Sequence, residues 1–290
     1  MEFNAYYART RTANVRGEED SYQSQFAYNG DRYGVQLEHL KVGDAFQPGV
    51  GFLRRQDFRR SYLYGRFSPR PKSMPAIRKL AWEGNLELYD DGDGRLESRA
   101  RQGTFRIDLQ NGDSGNVSYL DSYEFLERPF LLAPGLAPLV GGYRFRETNG
   151  SYRLGPKRRL NGVFTLGQGS FYSGDRTQAG YTGRVEVTPR FSIEPRISFN
   201  WISLPDGRFS ARLLSTRSTY TLTPRMFVSA LLQYNSSTNT FSTNARVRWE
   251  YAPGSEFFLV YNEGRNTLDG PAEGLASRAL AVKLTRLFRF

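Results

Sequence analysis

The chain has 290 residues, of which 39% are apolar and 24% charged, with a mean hydropathy of −0.58. No stretch approaches the roughly 18–20 consecutive apolar residues of a spanning helix, which excludes a helical membrane protein, and an aromatic content of 14% excludes a disordered chain. The absence of cysteine removes disulfide scaffolds, thiolate metal sites and cysteine nucleophiles, and the single histidine, His39, argues against a histidine metal cluster or a His-dependent triad.

The net charge is +11 and the isoelectric point is near 9.9. Lysine accounts for only five of the 40 basic residues (positions 41, 72, 79, 157 and 283), which leaves 35 arginines. Arginine favours fixed, fork-shaped contacts with carboxylates and phosphates. Nucleic acid, anionic lipid headgroups and a charged interior paired with Asp and Glu could each account for it. Nucleic-acid binders gather their charge into a patch or stripe, whereas here it is spread along the chain, so no nucleic-acid partner is expected. Met1 runs into Glu2-Phe3-Asn4 without a basic start and apolar core, so no secretory signal is read there. The expectation is a cytosolic protein, or an exported one whose N-terminal part lies outside this sequence.

In chain order, Asp90-Asp91-Gly92-Asp93-Gly94 is the first clear turn. Phe105, Ile107 and Leu109 then alternate with Arg106, Asp108 and Gln110, and Asn111-Gly112-Asp113 closes that run. Thr148-Asn149-Gly150 marks another turn. Tyr181, Gly183, Val185 and Val187 alternate with Thr182, Arg184 and Glu186. Phe191, Ile193, Pro195, Ile197, Phe199 and Trp201 alternate with Arg190, Ser192, Glu194, Arg196, Ser198 and Asn200. After Pro205-Asp206-Gly207, runs over 207–222 and 224–235 lead to Phe241, Thr243, Ala245, Val247, Trp249 and Tyr251, interleaved with Ser242, Asn244, Arg246, Arg248 and Glu250. Pro253-Gly254 turns the chain, Gly264 to Ala276 reads as a long loop like Arg128 to Gly141, and Leu280 to Phe290 closes in the same register. Period-two alternation marks strands with one apolar and one polar face. No linker or break in composition separates these runs, so residues 1–290 are expected to form one domain.

Two architectures accept such strands. In a soluble sandwich or propeller the apolar face is the core; in a transmembrane barrel it meets lipid and the polar face lines a lumen. Transmembrane strands need about 9–11 residues with aromatic girdles at both interfaces, whereas soluble strands average about 5–6. The runs 190–202, 207–222, 224–235 and 240–252 are long, and Trp201, Tyr234, Trp249 and Tyr251 sit near run ends as girdle candidates. The sequence therefore predicts an all-β fold, an antiparallel transmembrane β-barrel of about 14–16 strands. The terminal strand, with Leu284, Phe288 and Phe290, has the final aromatic that outer-membrane barrels present to their assembly machinery.

Several segments, in order, also resemble the C-terminal barrel region of a family of bacterial outer-membrane proteins of unknown function, which usually carry an N-terminal family-9-like carbohydrate-binding domain. The segments are Val42 to Arg55, Tyr123 to Phe130, Gly142 to Phe145, Gly169 to Arg176, Leu204 to Phe209, Gln233 to Asn235, Asn244 to Asn262 and Lys283 to Phe290. The resemblance implies an outer-membrane location, lipid and the barrel-assembly machinery as partners, and an association with glycans. The family's signal peptide and carbohydrate-binding domain are not in this sequence, and its first barrel strands are expected to be missing as well. The chain then reads as a C-terminal piece of a larger barrel, with closure of a smaller barrel as the alternative. No sugar-binding residue can be transferred.

The remaining motifs are plain. Asp90, Asp91 and Asp93 lack the further spaced ligand, the twelfth-position Glu and the flanking helices of a calcium hand, so a hairpin turn is expected. Gly167-Gln168-Gly169 is no nucleotide loop, and its glycines are expected to relieve crowding or bend a strand. Glu18, Glu19 and Asp20, and Glu124 with Glu127, are expected in solvated loops or arginine pairs rather than as acid–base couples. No nucleophile elbow occurs, so no catalytic residue, metal ligand or cofactor is assigned and no enzyme activity is expected. The candidate site is the polar face: Arg106, Asp108, Arg184, Glu186, Glu194, Arg196, Arg212, Arg246, Arg248 and Glu250 are lumen-lining candidates. Paired arginines would brace a lumen, and surplus arginine would make an open one favour anionic solutes, while a wholly paired interior would pass nothing. The functional expectation is a membrane anchor or pore of a glycan-binding or transport-related surface protein. A soluble all-β carbohydrate-binding module and an outer-membrane hydrolase are the alternatives.

Overall fold

The structure, a computed structural model, describes residues 1–13, 15–49, 51–53, 55–126, 140–205, 207–268 and 274–288. Among them there is no helix, and sixteen strands form one antiparallel sheet in which every strand is hydrogen-bonded to its neighbours in sequence. The strands are β1 (Glu2–Arg9), β2 (Asp20–Asn29), β3 (Tyr33–Val42), β4 (Phe58–Phe67), β5 (Ile77–Asp91), β6 (Leu96–Leu109), β7 (Ser114–Leu126) and β8 (Gly141–Leu154), then β9 (Leu160–Phe171), β10 (Gly174–Thr188), β11 (Phe191–Leu204), β12 (Gly207–Thr223), β13 (Met226–Asn235), β14 (Thr240–Ala252), β15 (Ser255–Asn266) and β16 (Leu275–Thr285). The strand count and all-antiparallel order agree with the sequence reading.

Two expectations need correction. Strands reach further into the predicted loop 264–276, because β15 runs to Asn266 and β16 starts at Leu275. The last strand stops at Thr285 instead of running to the end, because its partner Glu256 lies next to the start of β15 and the ladder runs out there. Leu284 is therefore in the strand and Phe288 beyond it, while Phe290, Asp206 and Glu127 lie outside the described residues.

The chain forms two compact units. The first comprises residues 1–150, 167–176 and 203–207, and the second 151–166, 177–202 and 208–290. In the first, the turns 30–32, 68–76 and 110–113 lie at one end of the strands, called here the turn end. The connections 10–19, 43–57 and 92–95 lie at the other, the loop end. The Asp-Gly turn forms as expected: the Arg95 amide donates to the Asp91 carboxylate at 2.7 Å, and Gly94 takes φ +81°, a left-handed conformation that glycine adopts without a Cβ penalty.

Register assigns faces, because directly opposed residues point the same way. In the first unit, Tyr33, Phe67, Trp82, Phe105 and Val117 form one cross-strand row. The rings of Tyr33 and Phe67, Phe67 and Trp82, and Trp82 and Phe105 lie 5.4, 5.8 and 5.2 Å apart. All five side chains are at least 36% exposed. In the second unit, Met226, Trp249, Phe257 and Leu284 make a cross-strand row, and Tyr234 opposes Phe241 next to the 236–239 connection. The opposite face carries Gln, Asn, Ser and paired charges. Buried apolar side chains are few: a small cluster of Val42, Phe46 and Phe58, joined by Ala8, Leu40, Leu53 and Tyr89, lies where the 43–57 connection meets the strands. Each unit is a single layer with two uncovered faces, not a sandwich around a core.

Candidate functional site

The polar face is braced by ion pairs made across and along strands, whose members alternation places on one side. In the first unit Arg60 on β4 bridges Glu38 on β3 and Glu87 on β5, each at 2.6 Å, and Gln23 donates to Glu38 at 3.0 Å. Arg106 holds Asp108 two residues on through Nε and an NH2, both at 3.1 Å. In the second unit Arg184 reaches Glu186 at 3.4 Å and Glu194 at 3.2 Å. Arg196, two positions beyond Glu194, is exposed. Arg248 pairs with Glu256 across β14 and β15, and its guanidinium and that of Arg246 lie over the rings of Phe258 and Phe227.

Two candidates sit differently. Arg212 continues the register Leu213↔Asn235 and Leu214↔Tyr234, so it shares the apolar face with Leu214 and Tyr234 and lies opposite the Arg246 and Arg248 face. The sequence pattern misleads there because Leu213 and Leu214 are adjacent and leave the parity of the strand open. Glu250 accepts from the Gly254 amide at 3.1 Å, so its carboxylate caps the β14–β15 turn. Of the girdle candidates, Trp201 and Trp249 are exposed, with Trp201 stacked on Phe199 at 5.7 Å. Tyr251 lies edge-on to Trp249 and donates to the Thr285 carbonyl at 3.0 Å, tying β14 to the end of β16. Leu284 is on the apolar face, and Phe288 packs under the Arg286 guanidinium.

Sequence reasoning missed a second charged site, set within the apolar face of the first unit. Asp121 on β7 opposes Arg101 on β6, and Arg99 opposes Tyr123. Arg144 Nε lies 3.1 and 3.2 Å from the two Asp121 oxygens, and Arg101 reaches it at 3.4 Å. Arg99 and Arg146 stand at 3.6 Å. The carboxylate is 4% exposed, while the four arginines are between 30% and 57% exposed. The available signal was Arg99, Arg101 and Asp121 falling on the same alternation as Phe105, Val117 and Tyr119. In the second unit, Glu263 is likewise held on the apolar face by Arg265 at 2.5 Å and Arg278 at 2.9 Å.

At the connections, Arg70 forks onto Asp31 at 2.8 and 3.0 Å, which holds the Asp31 carboxyl below its ordinary value. Asp57 behaves oppositely: desolvation and the carboxylates of Asp44, Asp93 and Asp91 push its carboxyl up. Among the described residues no cluster of three or more His, Cys, Asp or Glu could hold a metal ion.

No protein-family profile and no curated protein matches the chain. Among solved structures it is similar to a variant of the ferric enterobactin receptor PfeA from Pseudomonas aeruginosa, with a TM-score of 0.46 and 11% identity over 90% of this chain and 52% of that one. It is also similar to the siderophore receptor PirA from Acinetobacter baumannii, with a TM-score of 0.41 and 9% identity over 97% and 56%. The chain spans about half the length of these proteins.

Proposed function

We propose that the chain forms the wall of a bacterial outer-membrane β-barrel, with its apolar face against lipid and its polar face lining the interior, and that it serves as the membrane anchor or pore of a transport-related surface protein. The observation that carries this reading is the pairing of two unlike faces with no core behind either. Rows of exposed Trp, Tyr, Phe and Leu stand on one face, and the Arg–carboxylate network stands on the other. From the Met226–Trp249 row to the Tyr234–Phe241 row the register advances eight residues, about 27 Å along the strand and about 20 Å across a bilayer at a 40° tilt, which is comparable to the apolar band of such barrels. Strands are suited to this task because each strand paired on both sides has its backbone N–H and C=O groups satisfied where water is absent. Partnership with the barrel-assembly machinery and the link to glycans rest on the sequence resemblance.

The test uses the absence of native cysteine. Single Val228→Cys, Ser229→Cys, Ala230→Cys, Leu231→Cys and Leu232→Cys variants carrying nitroxides are reconstituted into vesicles. Oxygen collisions are expected to peak at 228, 230 and 232, and collisions with a water-soluble nickel chelate at 229 and 231. Equal access of the chelate at all five positions would contradict the reading.

A further inference from the structure

We infer that the Asp121 cluster is a binding site for a phosphate-bearing membrane lipid, with the phosphate on the arginines and an acyl chain in the hollow beside them. The inference rests on the reading that the apolar face meets lipid. Four guanidiniums surround one carboxylate, and among the described residues Asp121 is the only acid within ion-pair reach of any of them. Two oxygens cannot occupy that many donors: Arg99 and Arg146, at 3.6 Å, are beyond hydrogen-bonding range of the carboxylate, and Arg99 Nε is buried with no partner. The surplus is positive, partly exposed and already desolvated on one side by the sheet, a setting in which arginine forks favour a phosphate. One carboxylate at the centre holds the arginines side by side, while the charge left over attracts an anion.

The surface next to the arginines is shaped for the rest of such a molecule. Gly65, Gly84 and Gly103 oppose one another on β4, β5 and β6, and Tyr119 continues the row on β7. They floor a hollow of about 680 Å³ walled by the row of Leu63, Leu86 and Arg101, with Arg144 and Arg146 of β8 at its far side. A Cβ on Gly65 or Gly103 would meet nothing within 4 Å, and one on Gly84 only the Gln102 carbonyl oxygen at 3.9 Å. None of the three has a left-handed φ. Neither backbone conformation nor crowding requires glycine there; what the three share is the open space above them. The next row towards the turn end is Phe67, Trp82 and Phe105. Charge at one side and an apolar trench from it match an amphiphile with a phosphate headgroup.

The experiment uses the full chain folded in neutral detergent, with Trp201→Phe and Trp249→Phe leaving Trp82 as the only tryptophan. Phosphatidic acid with brominated acyl chains is titrated against fluorescence, with brominated diacylglycerol as the phosphate-free probe. Half-quenching by phosphatidic acid is expected at a mole fraction about tenfold or more below that of diacylglycerol. Arg146→Gln, which spares the Asp121–Arg144 bond, should remove most of that difference, and Gly103→Leu should weaken binding of both probes by filling the trench. Inorganic phosphate at millimolar concentration should not displace the lipid; displacement would show a site for the free anion and overturn the acyl-chain assignment. Equal half-points for the two probes, or an Arg146→Gln variant indistinguishable from the parent, would also overturn the inference. Protein that stays in the detergent fraction while showing no lipid preference refutes the site alone. Protein that partitions into the aqueous fraction refutes the membrane reading and the site with it.

Discussion

Asp57 shows how a single residue can be read in both its backbone and its charge. It adopts φ +54°, a conformation asparagine also tolerates, and its carboxylate faces the charges of Asp44, Asp91 and Asp93. Its folded-state pKa lies above the ordinary 3.8. The unfavourable term is therefore absent below the unfolded value and grows as pH rises through the folded one. Asp57→Asn is expected to raise the unfolding midpoint at pH 7 and leave it unchanged at pH 3; an equal gain at both values would assign the effect to something other than charge. Asp121 is a buried carboxylate among four arginines. Neutralising the carboxylate leaves four like charges side by side without their counter-ion. Asp121→Asn is expected to lower stability in denaturant by roughly 3 kcal/mol, and adding Arg144→Gln should restore part of it.

At the scale of strands, glycines that look alike in the sequence act in opposite ways. A Cβ on Gly169 would stand 2.3 Å from the Arg146 carbonyl oxygen and 2.6 Å from the Glu147 Cα, so β8 and β9 approach closely there, as the crowding expected around Gly167-Gln168-Gly169 implied. Gly65 has open space. Gly169→Ala should therefore cost about 1–3 kcal/mol in urea unfolding, while Gly65→Ala should be neutral or stabilise by up to about 1 kcal/mol. Strands β11 to β14 were legible almost to the residue, because Phe191 to Trp201 and Phe241 to Trp249 alternate without a break. Strands β1 to β4 were not. Gln23, Gln25, Gln36 and Glu38 do fall on one alternation, but Tyr22, Tyr62 and Tyr64 place aromatic rings on both faces and blur the period. The arginine cluster was legible only as charges on the apolar alternation, not as a site. It depends on which residue of β6 stands opposite Asp121, and a lone strand's pattern contains no cross-strand register.

At the scale of the whole chain, the account is that sixteen sequential antiparallel strands make a wall whose solvent on one side is lipid. The paucity of buried apolar residues, the exposed aromatic rows and the bracing of the polar face by arginines then have one cause. A ladder in which neighbours in sequence are neighbours in space has β1 and β16 as its edges until these too are paired, and a closed ladder without edges resists detergent until heated. The most direct measurement is the gel mobility of membrane-extracted protein, loaded unheated and after boiling. The account predicts that the unheated protein migrates at a different apparent mass from the boiled one. Identical mobility of the two samples, with the protein recovered in the aqueous fraction, would contradict it.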